Sequence, residues 1–137
     1  MVHGPDLTPL DWVGPALGAA AFVALMSRVP EPARHRYNAV VVVGASGVYL
    51  SGGLGAWELV YAGLACGVVG YLGLRSYRYI ALGWLMHSAW DIVHHLYGRP
   101  IWPFMPTSSF GCMIFDALIA VWFLFGAPSI GRSRTPA

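Results

Sequence analysis

Lysine is absent from the 137 residues, and eight arginines and six acids leave the chain only 10% charged. Soluble domains carry about 25% charged residues and about 45–50% apolar ones; here hydrophobic residues reach 57%. A water-exposed surface of this size needs more charge than that, so the deficit excludes an ordinary soluble domain and points to an integral membrane protein. Cysteine is scarce too. Cys66 and Cys112 are too few for a disulfide scaffold, and no Cys-x-x-Cys zinc pattern occurs. The start, MVHGPDLTPLDW, lacks the basic stretch and cleavage site of a signal peptide, so the first apolar run is expected to stay in the mature protein. There is no repeat, no low-complexity tract and no sign of a second domain, and no nucleic-acid partner is expected.

What is present is a series of apolar runs. A window of about 19 residues marks five, roughly 10–27, 37–54, 56–74, 79–97 and 110–126. Each is about 17–19 residues long, near the lower limit for crossing a hydrocarbon core of about 30 Å. They are apolar all round, without the alternation of a barrel strand, so the expected fold class is all-α: a single domain forming a five-helix transmembrane bundle. Pro15 lies inside the first run, and the glycine-rich SGGLG between the second and third predicts an antiparallel hairpin.

Five spans sort the arginines. Arg28, Arg34 and Arg36, then Arg75 and Arg78, then Arg132 and Arg134 fall on one side, and only Arg99 on the other. This bias puts the N-terminus outside and the C-terminus in the cytoplasm. The expected location is a bacterial plasma (inner) membrane, crossed several times, with membrane lipids as partners and self-association into a homo-oligomer left open.

Against this apolar background stands HSAWDIVHH, residues 87–95. At about 100° per residue, His87, Asp91, His94 and His95 share one stripe of the fourth helix, about 100° wide and about 12 Å long. Gly83 and Gly98 share its centre, where another helix can approach closely. Asp116 on the fifth helix reaches a depth similar to that of Asp91, with Cys112 one turn above it, and Glu58 enters the same outer leaflet from the third. Charged groups at the bilayer centre cost about 2.5–3.5 kcal/mol on insertion scales and normally face a bundle interior or a wet cavity.

Imidazole with carboxylate is a ligand set for a divalent metal: zinc, iron or manganese. His87, Asp91, His94 and Asp116 are the candidate ligands, with His95 as an alternate, and Glu58 is the candidate general base for a metal-activated water. The plainer readings stand beside this one. His94 and His95 lie within a turn of the helix end, where headgroups or the helix C-terminus suit imidazole. Glu58 is placed to cap its helix, and His87 with Asp91 forms an i, i+4 packing pair. Gly63, Gly67 and Gly70 read as a small-residue packing stripe. The proline-rich connection GRPIWPFMPTSS beside the polar groups is either a lid or a rigid spacer.

The block HSAWDIVHHLYGRPIWPFMPTSSFGCMIFDALIA resembles the signature of a bacterial domain-of-unknown-function family of small multi-pass membrane proteins. It carries the pattern H-x3-D-x2-H-H followed by G-C-x3-D. The resemblance is clearest over about residues 80–125 and implies a membrane protein without an activity. DIVHH also resembles the H-x-x-H-H box of membrane fatty-acid hydroxylases and desaturases, although Asp91 stands at its first position. GWLMHSAWD resembles the H-x-x-x-N/D motif of intramembrane proteases related to prenyl-protein processing enzymes, whose Glu-Glu-x-x-x-Arg and Phe-x-x-x-His motifs are absent here. The sequence therefore supports a metal-binding membrane protein, with hydrolysis of a lipid-like or prenyl-type substrate as its chemistry. Alternatives are a small transporter or proton/cation pathway, and a non-catalytic membrane partner subunit. Whether the chain is an enzyme stays open.

Overall fold

The computed structural model describes residues 6–131. Among them there are helices and no strands: α1 (Pro9–Met26), α2 (Ala33–Ala45), a 3₁₀ segment (Ser46–Ser51), a π-wound segment (Glu58–Cys66) running into α3 (Gly67–Leu72), α4 (Tyr77–Tyr97) and α5 (Ser108–Leu124). The helices α1, α4 and α5 lie within two residues of the first, fourth and fifth apolar runs. The second and third runs keep their places but not a uniform winding.

The boundaries have local causes. Asp11 in the first turn of α1 accepts hydrogen bonds from the backbone N–H and the hydroxyl of Thr8, both at 2.7 Å, and Pro9 supplies a preset φ at the first helical position. The hydroxyl of Ser76 caps α4, accepting from Arg78 N at 3.2 Å. At the other end of α4, Gly98 and Pro100 stop the helix. Between the 3₁₀ and π segments the chain turns through Gly52, Gly53 and Gly55, all at positive φ. A Cβ on Gly53 would meet Arg99 N at 2.8 Å, so this turn seats directly on the end of α4.

The packing is centred on α4, which contacts α5, α2, α3 and the π segment, while α1 lies against α5. Gly70 and Gly83 allow close approaches to α2: an added Cβ would meet Val43 Cγ2 at 2.8 Å and Val42 Cγ2 at 2.9 Å, respectively. The expected glycine stripe is thus only partly a packing device. A Cβ on Gly67 would meet nothing within 4 Å, and one on Gly63 only the carbonyl of Glu58. The reason is the π winding over Glu58–Cys66: i→i+5 bonding rotates these residues off the α-helical face that a spacing of three or four implies.

The two ends of the bundle differ. At one, the first and third connections and the chain after α5 are clasped together. Arg34 bonds Glu31 at 2.9 Å and donates to Ser129 Oγ at 2.7 Å; Tyr77 donates to Glu31; a ring nitrogen of His35 lies 2.7 Å from Gly73 O. This is the end that carries Arg28, Arg34, Arg36, Arg75 and Arg78; Arg132 and Arg134 lie outside the described residues. Burial by itself would raise the Glu31 carboxyl, but hydrogen bonds from Tyr77 and Arg34 outweigh it and hold the carboxyl below its usual range. Burial and that carboxylate push the Tyr77 phenol up to about 12. Because the folded-state value of Glu31 is depressed, its contribution is full above the ordinary glutamate range of about 4.3 and is lost as pH falls through the lower folded value. Thermal unfolding of Glu31→Gln against wild type should therefore show a gap at neutral pH that closes in acid. The gap should be about 0–1 kcal/mol, since the Glu31 side chain is 44% exposed.

The distribution of polarity is inverted relative to a soluble fold. Buried positions include His87, Asp91, His94, Glu58, Asp116, Asn38 and Arg34, while Leu10, Leu17, Leu25, Val40, Leu59, Leu64, Leu82, Leu118 and Leu124 are exposed. By length and composition, α1 is a helix able to cross a membrane; the stretches Glu58–Leu72 and Ser108–Leu124 are shorter apolar helices.

Candidate functional site: a buried histidine–tyrosine–aspartate chain

Helix α4 supplies the centre of the site. His87 and Asp91 are 0% exposed and His94 is 2% exposed, so three of the four residues on the expected stripe face inward together. His95 lies at the margin. It is half-buried, its ring packs on Phe110 at 5.4 Å between centroids, and its Nδ1 has no hydrogen-bond partner among the described residues.

The partner of His87 comes from the change of winding after α2. In a 3₁₀ helix residues i and i+3 eclipse, so Ser46 and Tyr49 point to the same side. Both reach His87: Nε2 lies 3.1 Å from Val42 O and 3.4 Å from Ser46 Oγ, and Nδ1 lies 3.2 Å from the Tyr49 hydroxyl. That hydroxyl donates to Asp91 Oδ1 at 2.8 Å. Across the α4–α5 contact the carboxyls of Asp91 and Asp116 face each other. Asp91 Oδ2 is buried with no hydrogen-bond partner among the described residues. Two ionised carboxylates would both be acceptors and would repel.

Glu58 and His94 form a second, separate cluster. The Glu58 carboxylate accepts from Leu54 N at 3.2 Å, from Trp90 Nε1 at 3.1 Å and from His94 Nε2 at 3.0 Å. The other ring nitrogen of His94 faces Arg99 O at 3.0 Å, an acceptor only, so Nδ1 carries a proton. With three donors on its oxygens and 4% exposure, Glu58 is engaged as an anchor of its helix start. The ring of Tyr49 separates the two clusters. It stacks at 5.4 Å on His87 and lies 5.3 Å from His94.

The expected metal ligands are therefore divided. His87 turns to Val42, Ser46 and Tyr49, His94 turns to Glu58, and only Asp91 and Asp116 meet. Among the described residues no group of three or more His, Cys, Asp or Glu side chains is placed to hold a metal ion. Two carboxyls alone fall short of the four donors that a structural zinc site uses. The residue sequence reasoning missed is Tyr49. Its signal was a hydroxyl within the apolar run 37–54, and such a hydroxyl needs a partner when buried.

A helical bundle with an apolar exterior and a titratable interior chain is the class these features define. The chain belongs to the family of unknown function DUF6010, whose model matches residues 10–129. No curated protein and no solved structure matches it.

Proposed function

We propose that this is a multi-span protein of a bacterial plasma membrane whose core is a proton pathway built on His87, Tyr49, Asp91 and Asp116. The membrane placement is supported by the inverted polarity: large apolar side chains cover the outside while carboxyls and imidazoles are enclosed. The position of five arginines at the clasped end supports an arrangement with that end cytoplasmic.

The continuous chain of hydrogen-bonding groups carries the functional reading. Nε2 of His87 faces a carbonyl and must donate. Two arrangements then satisfy the rest. In one, neutral His87 accepts the Tyr49 proton at Nδ1 while the Tyr49 oxygen accepts from protonated Asp91. In the other, imidazolium His87 donates to the Tyr49 oxygen, and Tyr49 donates to the Asp91 carboxylate. Moving two protons along existing contacts converts one into the other and transfers one unit of charge from the Asp91 end to His87. Asp116 can reload Asp91. Toward the arginine-bearing end, Asn38 Oδ1 and Trp84 Nε1 are buried polar atoms without partners among the described residues. They continue the polar column, and atoms of this kind take water as a partner.

A divalent cation on Asp91 and Asp116 is the competing occupant. It is less well supported because neither His87 nor His94 turns toward that pair. The test is proton flux into reconstituted vesicles under an imposed pH gradient. Wild type should exceed protein-free vesicles at least tenfold, and Asp91→Asn should fall to the leak rate. Flux that is unchanged in Asp91→Asn, or absent from wild type, would refute the pathway.

A further inference from the structure

A cavity of about 560 Å³ opens between the start of α1, the connection after α4 and the start of α5, within the range of about 300–1,000 Å³ typical of ligand sites. We propose that it binds one acyl chain of a zwitterionic membrane lipid, an inference that rests on the membrane placement above.

Its walls are carbon: Pro15, Trp102, Phe104, Met105 and Phe115. Helices α1 and α5 approach closely at Gly18, where an added Cβ would lie 3.6 Å from the Phe115 ring, and at Gly111, where it would lie 3.3 Å from Pro15 Cγ. At Gly14, which also lines the cavity, an added Cβ would meet nothing within 4 Å. The missing side chain there is part of the space. The connection after α4 is fixed as a roof, because Trp102 N donates to Ser108 Oγ at 3.0 Å and Ile101 N to Ser109 Oγ at 3.4 Å.

Water would be poorly held along these walls, since a buried water needs two to four polar partners; a hydrocarbon chain loses nothing there. Polar groups gather at the rim as Asp11, Thr107 and Ser108, and among the lining residues Asp11 is the charged one. A carboxylate at the mouth repels an anionic headgroup and favours one that ends in an ammonium. The cavity also touches Cys112, one helical turn before Asp116 on α5, so a bound chain would lie near the carboxyl pair.

The test uses the full chain in nanodiscs doped with a phosphatidylcholine whose acyl chain carries a photoreactive diazirine, with cross-links mapped by mass spectrometry. Labelling at Gly14, Cys112 and Phe115 should exceed that at exposed Leu17 and Leu118 on the same helices at least threefold. Gly14→Leu, which fills the space, should reduce the cavity labelling at least tenfold and leave the exposed positions unchanged; Gly14→Ala, a smaller fill, should give an intermediate loss. Labelling that is equal on both faces, or insensitive to Gly14→Leu in a protein whose helical circular dichroism matches wild type, overturns the site. Equal labelling by the phosphatidylglycerol analogue overturns the headgroup assignment. A chain that does not enter the disc at all overturns the membrane reading together with this one.

Discussion

Replacing His94 by alanine is expected to lower the stability of the protein by about 3–5 kcal/mol, the range for removing one partner from a buried ion pair. His94 and Glu58 are almost fully enclosed, so neither charge can turn to solvent when the other is lost. The damage spreads beyond the pair. Without the imidazole, Arg99 O loses its donor and the turn at Gly53, which seats on Arg99, loses its footing. Glu58→Gln should cost less, since an amide oxygen still accepts from Leu54 N or Trp90 Nε1. Thermal unfolding in detergent, followed by circular dichroism, measures both, and the double variant gives the coupling energy. A loss under about 1 kcal/mol for His94→Ala would mean that the pair is open to water and that the buried anchor described for Glu58 is wrong.

Tyr49→Phe removes one oxygen atom and should abolish most of the proton flux, by at least tenfold, while costing only about 1–3 kcal/mol for the partners left unpaired. The substitution keeps the ring that lies between His87 and His94. If Tyr49 served only to fill space, flux would survive in the phenylalanine variant. Loss of flux with a folded protein separates relay from packing, because His87 Nδ1 and Asp91 Oδ1 then have no atom through which to communicate. Retention of wild-type flux in Tyr49→Phe would remove the hydroxyl from the pathway.

The sequence made the length and place of the helices legible because hydropathy integrates over many residues. For α1, α4 and α5 the apolar runs agree with the structure to within two positions. The inward stripe of α4 was legible for the same reason: angles between residues on one helix follow from 3.6-residue periodicity. What each stripe residue would face was not. His87 and His94 lie on one side of one helix, yet they bind partners from different segments, one after α2 and the other at the start of the π stretch. Neither the 3₁₀ turn that aims Tyr49 nor the π winding that displaces Gly63 and Gly67 has a mark in hydropathy. A shared stripe therefore suggested a common ligand set, when the neighbours had already supplied each imidazole with its own acceptor.

The placement of Tyr49 has a dynamic consequence. With an imidazole against each side of its ring, the side chain has no room to swing between rotamers inside a close-packed interior. The hydrogen on its oxygen is still free to turn about a single bond. In the proposed relay, turning that hydroxyl between His87 and Asp91 is a local bond motion and not a core rearrangement, and the reset is complete once His87 has given up its added proton. If the proposed pathway operates, its traffic is then set by the supply and removal of protons at its ends and not by motion of the Tyr49 ring.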